Sequence, residues 1–245
     1  MKKIEYAMMA DRENEYWWHI GRLRILQTYI KAATSKSKRP LILNIGCGTG
    51  GTIDMLDKFG LTDNVDVSSE AIRFMKEHGY RRLYKVQGID LPFEDNKYDL
   101  ICAFDVLEHI SKESAALKEW RRVLKPGGAL VISVPAYKWL WSDHDVSLHH
   151  KRRYTKKRLS LAAKKAKLKV VRKSYAIVFS LPLIAGFRLI NNALGRKSDA
   201  ETSYVDVPAT VNSFFVRLLY IEASLHKVIS FPAGTSVVAI LKKAD

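Results

Sequence analysis

The chain has 245 residues, 47% of them hydrophobic and 27% charged, with 41 Lys and Arg against 25 Asp and Glu for a net charge of +16. Such proportions belong to a folded protein with a large core, one α/β domain with at most an elaboration. The two cysteines, Cys47 and Cys102, fall in or beside apolar runs at no metal-ligand spacing, which argues against a cysteine-built metal site and for small buried residues in a reducing compartment.

Met1 to Asn14 is polar and lacks the apolar stretch of a secretory signal, so a cytoplasmic protein is expected. Tyr16-Trp17-Trp18-His19 then opens an amphipathic stretch, with Ile20, Leu23, Ile25, Leu26 and Ile30 on one side and Arg22 and Arg24 on the other. It predicts a helix within an N-terminal segment, 1–39, whose paired tryptophans either pack or serve as a lid over a ligand. Thr34 to Pro40 is a linker. Leu41 to Ile45 reads as a buried strand, and Gly46, Gly48 and Gly50 turn the chain into a second amphipathic stretch, Thr52 to Phe59. A strand, a glycine turn and a helix start build a nucleotide crevice at the carboxyl end of a parallel sheet, because glycine lets a ligand lie against the main chain. Gly46-x-Gly48-x-x-Gly51 also fits the dinucleotide fingerprint, with Asp66 at the distance for a ribose. At this point NAD and S-adenosylmethionine both remain open.

Asn64 to Val67 is the second predicted strand, with Asp66 placed to accept ribose hydroxyls. Ser68 or Ser69 caps a helix that runs to His78 and stops at Gly79. Leu83 to Gln87 is a third strand, followed by a loop from Gly88 to Phe93. Tyr98 to Phe104 is the fourth, continuing into Asp105-Val106-Leu107-Glu108-His109. Ser111 to Leu124 is a helix with Ala115, Leu117, Trp120 and Leu124 as its apolar side. Lys125-Pro126-Gly127-Gly128 ends it, and Ala129 to Val134 is the fifth strand.

Taken together, the blocks Leu41–Gly50, Asp66-Val67-Ser68, Leu91-Pro92-Phe93, Tyr98-Asp99, Asp105–His109 and Arg121–Gly128 resemble the class I S-adenosylmethionine-dependent methyltransferases, in the branch of the type-11 methyltransferase domain. Tyr16-Trp17-Trp18 with Arg22, the run Val134–Ser142 with His144-Asp145, and His150–Tyr154 resemble one subgroup of it. The resemblance implies an α/β fold: a seven-stranded, Rossmann-like class I methyltransferase sheet with a helical insertion between strands six and seven. The cofactor-binding core would cover 40–175, the insertion 176–233, and the last strand 234–245. It also implies S-adenosyl-L-methionine as cofactor. Asn44, Gly46, Cys47, Gly48 and Gly50 would hold the methionine end, Asp66 and Val67 the ribose, and Gly88, Ile89 and Asp90 the adenine side, with Phe104 and Asp105 completing the set. Two departures stand out. The family carries Asp or Glu where Asn44 stands, and the segment before Leu91 is short, with Gln87 or Asp90 where an acidic residue approaches the adenine. The dehydrogenase reading falls away, since no Tyr has a Lys four positions on and a Pro-Gly-Gly before strand five is a methyltransferase habit.

Methyl transfer to oxygen needs alignment of acceptor and methyl group, and a base for the hydroxyl proton. Asp105, Glu108 and His109 follow strand four, and if Asp105 starts a helix they share one face. Three readings stay open. The set resembles the Glu-x-x-Glu-His metal ligands of some quinone and RNA-end methyltransferases; or His109 is a general base oriented by Glu108; or the residues are a capped helix start. The catalytic expectation is His109 with His150, and no residue is assigned to a metal. A second cluster, which includes Trp139, Trp141, His144, Asp145, His150, Arg152 and Arg153, suits a ligand with an apolar or sugar part and a phosphate.

From Lys151 to Lys173 twelve Lys and Arg occur with no acidic residue, leaving about +4 for the rest. Such a block attracts nucleic acid, an anionic membrane or a phosphorylated substrate, or is a solvated face. A basic helix follows Thr155, with Leu159, Ala162, Ala163 and Ala166 buried, then strand six, Leu168 to Tyr175. The insertion holds an apolar run, Tyr175 to Phe187, too short to span a bilayer. A second helix carries Phe214, Phe215, Leu218, Leu219, Leu225, Val228 and Ile229 on one face. The last strand is Ser236 to Leu241. The favoured acceptor is a small molecule or lipid-linked glycan, methylated on oxygen by a protein in peripheral contact with the inner membrane face; RNA is the alternative.

Overall fold

The computed structural model describes residues 10–34, 39–186 and 207–244. A helical turn over 10–15 precedes α1 (Trp17–Thr34), which is followed by β1 (Leu41–Ile45), α2 (Ile53–Leu56), β2 (Leu61–Asp66), α3 (Ser69–Glu77) and β3 (Leu83–Lys85). Then come β4 (Tyr98–Phe104), α4 (Glu113–Val123), β5 (Leu124–Pro135), the short α5 (Asp143–Ser147), α6 (Lys156–Lys165), β6 (Leu168–Ala176), α7 (Ala209–Leu225) and β7 (Ser236–Lys243). The strands form one seven-stranded sheet in the order β3-β2-β1-β4-β5-β7-β6. Strand β7 pairs antiparallel with both neighbours, β5 and β6, while the pairings from β3 across to β5 are parallel. The reversal of order between β1 and β4 opens a crevice at the carboxyl ends of those strands.

Both faces of the sheet are covered, as a parallel sheet requires. On one, Ile45, Ala103, Leu130 and Ile132 pack with Leu117 and Trp120 of α4 and Leu159 and Ala163 of α6. On the other, Ile42, Leu100, Cys102 and Val131 meet Leu26, Tyr29 and Ile30 of α1 and Leu219 and Ala223 of α7. Helices α1 and α7 are therefore one layer. Gly21 lies so close under Leu219 that no Cβ would fit, and Asn212 of α7 accepts from Trp17 N at 2.8 Å. Behind them Glu222 accepts the N–H groups of Ile177 (2.6 Å) and Val178 (2.9 Å), and Tyr29 Oη lies 3.1 Å from His226 Nδ1.

Several local expectations change. The helix foreseen from Thr52 to Phe59 is one turn, Ile53–Leu56, because the chain must reach Gly60, which lies against the Pro40 carbonyl. Strand β2 begins at Leu61, earlier than its polar Thr62-Asp63 spelling allowed. Asp63 is buried there because Arg82 (2.7 Å), Lys97 (3.6 Å) and the Tyr98 hydroxyl (2.8 Å) surround its carboxylate. Strand β3 stops at Lys85. Helix α4 buries Ala116 and Val123 with Leu117 and Trp120, not Ala115, and β5 takes over at Leu124 with no intervening loop. In α7 the single apolar face splits. Leu219 is buried and Phe214 stands 56% exposed, while Val228, 80% exposed, and Ile229 lie beyond the helix, which ends at Leu225. Phe187 and the rest of 187–206 lie outside the described residues, as do 1–9, and with them the predicted polar start and the middle of the insertion.

Candidate functional site

At the carboxyl end of β1 the chain turns through Gly46 (φ 73°), Gly48 (φ 53°) and Gly50 (φ 95°), left-handed angles that a side chain resists. The turn is held from β2: the N–H groups of Gly46 and Cys47 donate to the Val65 carbonyl at 2.9 and 3.3 Å. Asp66 then uses one carboxylate oxygen on Gly48 N (2.9 Å) and the other on Ser68 N (2.8 Å). Asp66 thus ties the glycine turn to the next helix start. Val67 beside it is 61% exposed. Asn44 is buried and donates its amide hydrogens to Thr52 Oγ1 and Asn64 Oδ1, both at 3.0 Å. Its side chain is thus spent bridging β1, β2 and the start of α2. Cys47 is buried and free, its thiol pushed above the usual range by burial and by Asp66.

Two charged residues that the sequence reading did not place at this turn arrive from the N-terminal helices. Glu13 accepts from the Thr49 hydroxyl at 2.6 Å and sits where a Gly51 side chain would point. Burial raises its pKa, against the Thr49 hydrogen bond and the Arg22 charge. Arg22 reaches Asp105 at 2.5 Å and Ser133 Oγ at 3.5 Å, and its guanidinium lies 5.2 Å from the Trp18 ring centre. Only the tertiary fold brings Glu13 to the turn, so no sequence spacing signals it. Gly88, Ile89 and Asp90 form the loop beyond β3, closed by a bridge between Gln87 and Asp90. Its outgoing end is pinned by Glu119, which accepts from Leu91 N at 2.9 Å, and by Arg122, which donates to the Leu91 and Phe93 carbonyls.

At the end of β4, Phe104 is buried, and Asp105 takes a left-handed φ of 56°. Residues Leu107–His109 form one 3-10 turn. The expected helix beginning at Asp105 is therefore absent, and Asp105 faces Arg22 and Ser133 Oγ (3.1 Å) instead. What converges is Glu108, His109 and His150, each with a ligand atom within 4.8 Å of the others. The His109 and His150 rings meet edge to face at 4.7 Å. Glu108 is fully buried, and among the described residues neither carboxylate oxygen has a hydrogen-bond partner. Burial, then Asp105, pushes its pKa well above the usual range. His109 is shifted down, first by burial and then by the His150 charge.

His150 is oriented from behind. Its Nδ1 lies 2.8 Å from Asp145 Oδ1, and Asp145 also takes two bonds from Arg153, at 2.7 and 2.9 Å. Burial alone would raise the Asp145 pKa, but His150 and Arg153 overcome it and hold the carboxylate ionised. The hydrogen bond to this ionised oxygen fixes the ring orientation of His150 and turns its Nε2 edge away from Asp145. Beside this lies a cavity of about 400 Å³ lined by Lys138, Trp141, Lys151, Arg152, Arg153 and Arg158. A second, more open one of about 590 Å³ includes Lys156, Lys157, Lys164 and Lys173.

Comparison with known proteins narrows the chemistry. Residues 43–132 match the family model described as a methyltransferase domain. A ubiquinone biosynthesis O-methyltransferase of Coxiella burnetii is 29% identical over 145 residues, 54% of this chain and 61% of that protein. The chain thus spans about three fifths of the length of that relative. A sterol 24-C-methyltransferase of Gibberella zeae is 35% identical over 111 residues, 42% of this chain and 28% of its own. Among solved structures, an S-adenosylmethionine-dependent methyltransferase from Archaeoglobus fulgidus superposes with a TM-score of 0.57 at 16% identity, covering 96% of this chain and 99% of its own. The [4+2]-cyclase SpnF does so with a TM-score of 0.57 at 17% identity, covering 90% and 80%. The fold thus serves more than one chemistry, and the side chains at the site must carry the functional argument.

Proposed function

Because this chain carries a class I S-adenosylmethionine-dependent methyltransferase domain, with S-adenosylmethionine as the cofactor that family and fold imply, we propose that it methylates a hydroxyl oxygen of a small-molecule or lipid-linked glycan acceptor. The observation that carries the reading is the meeting of His109 and His150 at the mouth of the crevice, one from the end of β4 and one from beyond β5. Bound S-adenosylmethionine supplies a sulfonium methyl group; the acceptor oxygen forms a bond to that carbon as the carbon–sulfur bond breaks, its electron pair going to sulfur. The hydroxyl proton goes to His109, which burial keeps neutral near pH 7 and so able to accept it. His150, held in place by Asp145, presents its Nε2 edge to orient the hydroxyl.

On the donor side, Asp66 and the Gly46–Gly50 turn take the ribose and methionine end, with Phe104 and Asp105 across the crevice and Gly88, Ile89 and Asp90 toward the adenine. Asn44 is bonded inward and carries no charge, so Glu13 is the residue available to face the ammonium group, and Arg22 the carboxylate. A second reading rests on Glu108: a buried carboxylate without a hydrogen-bond partner, grouped with two histidines, fits a divalent cation that would lower the acceptor hydroxyl pKa. No described helix is long and apolar enough to cross a membrane. The exposed Phe214, Ile221, Val228 and Ile229 support peripheral contact with a lipid surface, where a lipid-linked acceptor would be met.

Methyl incorporation from labelled S-adenosylmethionine, offered polyprenyl-phosphate sugars, quinols and RNA, tests the reading. Transfer to a hydroxyl acceptor is expected, with His109→Ala slowing it about 10²–10⁴-fold while S-adenosylhomocysteine binds as before, and Asp66→Ala weakening that binding about tenfold or more. Loss of turnover after chelation, restored by added cation, selects the second reading. Incorporation into RNA alone overturns the small-molecule acceptor.

A further inference from the structure

Five of the six residues lining the cavity beside His150 are cationic: Lys138, Lys151, Arg152, Arg153 and Arg158, with Trp141 as the sixth. Like charges in one concavity repel, which a carboxylate partner or, at the exposed Lys138 and Lys151, solvent or a bound anion offsets. The arginines have theirs. Arg153 is bound twice by Asp145 and donates to the Ala136 carbonyl at 3.0 Å. Arg152 donates to the Ile110 and Ser111 carbonyls at 2.6 and 2.9 Å. Glu113 lies 3.5 Å from Arg152 and 3.7 Å from Arg158, and also accepts from the Tyr154 hydroxyl at 2.7 Å. These two carboxylates leave the cavity with three positive charges in excess. Among the described residues neither Lys138 nor Lys151 has a carboxylate within ion-pair distance.

We propose that this cavity binds a phosphate or diphosphate ester of the acceptor, with Lys138 and Lys151 as its charge partners and the fixed arginines as its walls. The charge fits, since two or three negative charges match the excess, and the lysine ammonium groups are free of carboxylates to donate to phosphate oxygens. The volume of about 400 Å³ takes a headgroup with an adjoining sugar or the first carbons of a prenyl chain, for which Trp141 supplies an apolar face. The position fits as well. Lys151 follows His150 in the chain, and its N–H donates to the Glu108 carbonyl at 2.8 Å. Arg153, in the cavity wall, shares Asp145 with His150, so the anion site and the histidine pair are tied to one carboxylate. A nucleic-acid strand would track a charged stripe and draw on the lysines of the second pocket as well, Lys157 and Lys164 among them, whereas a phosphate ester would depend on Lys138 and Lys151. The link to methyl transfer rests on the function proposed above, whereas the anion binding stands by itself.

Calorimetry of the intact chain tests it with inorganic pyrophosphate, geranyl phosphate, glucose 1-phosphate, geraniol and an RNA dodecamer as titrants. The variants are Lys138→Ala/Lys151→Ala and, as a control of equal charge at the second cavity, Lys157→Ala/Lys164→Ala, each checked for its thermal transition. The phosphorylated probes are expected to bind the unaltered chain and the control alike and to lose at least tenfold in affinity in the Lys138/Lys151 variant. Geranyl phosphate ahead of glucose 1-phosphate indicates a lipid-borne ester, and the reverse a soluble one. Equal affinity in both double variants overturns the proposal, as does geraniol binding as tightly as geranyl phosphate, or the dodecamer binding most tightly and losing affinity in the same variant. S-adenosylhomocysteine, titrated alongside, should bind all three proteins equally. Its failure to bind any of them would remove the methyltransferase reading while leaving the anion site standing.

Discussion

At the carboxyl end of β1 the polar groups satisfy one another: Asp66 spends both oxygens on backbone N–H groups, Asn44 spends its amide on Thr52 and Asn64, and Glu13 closes on Thr49. At the carboxyl end of β4, a neighbouring strand, Glu108 is as deeply buried yet has neither oxygen bonded among the described residues, and Asp105 is held at a left-handed φ. The glycine turn is a fixed cradle made largely from consecutive chain. The histidine side is assembled from the turn after β4 and the segment beyond β5, α5 included, and carries an uncompensated group in its midst. Strain and unpaired polarity collect where a site must act on something not yet present, while the cradle needs only to keep its shape.

Cutting the strut behind His150 should break this contrast most forcefully. Asp145→Ala leaves the guanidinium of Arg153, whose side chain is only 6% exposed, without its carboxylate. A loss of about 3–5 kcal/mol is expected, since removing one partner strands a buried charge. Urea unfolding reads it, and a change under 1 kcal/mol would mean that the acceptor side is less rigidly braced than the donor side.

Acid should act next, through α1, which spans the two regions. Burial, then the Arg22 charge, lowers the His19 pKa from the usual 6.5 to about 4. The unfolded chain therefore binds a proton that the folded one refuses. Stability from this group is complete above about pH 6.5 and falls as pH drops toward about 4, by at most about 3 kcal/mol. Unfolding free energies at pH 7 and 4.5, with His19→Gln as reference, isolate it: the variant should lose less on acidification. An equal loss in both proteins removes His19 as the cause.

The smallest effect tests the contrast at its source. Glu108→Gln replaces a carboxylate that has no hydrogen-bond partner, so in metal-free protein stability should stay level or rise by about 1 kcal/mol. Asn44→Leu, which removes a satisfied amide and strands Asn64, should instead destabilise. If Glu108→Gln costs more than Asn44→Leu in the thermal transition, the two sides do not differ as described.

Much of the sheet was legible in the sequence because its signals are local. Apolar runs marked β1, β4 and β5, a serine cap and a glycine stop bounded α3, and the basic helix after Thr155 is α6. The glycine turn could be read for the same reason, since positive φ at alternate positions is written into residue type. Boundaries failed where a contact from afar overrode local preference. Thr62 and Asp63 look like loop and are strand, because Arg82, Lys97 and Tyr98 neutralise Asp63. Apolar positions of α7 read as one face but divide, because α1 covers only one side of that helix.

Sequence alone determined the order of strands and helices, the glycine turn, Asp66 at its distance from it, and a basic block after His150; all of these follow from periodicity, residue conformational range and charge within a short span of chain. Tertiary structure decided which charges meet. Glu13 on Thr49, Arg22 on Asp105, and His150 against His109 and Glu108 join residues between 36 and 83 positions apart. Charge interactions depend on distance in space, and spacing along the chain carries no record of a pair that only the folded sheet brings together.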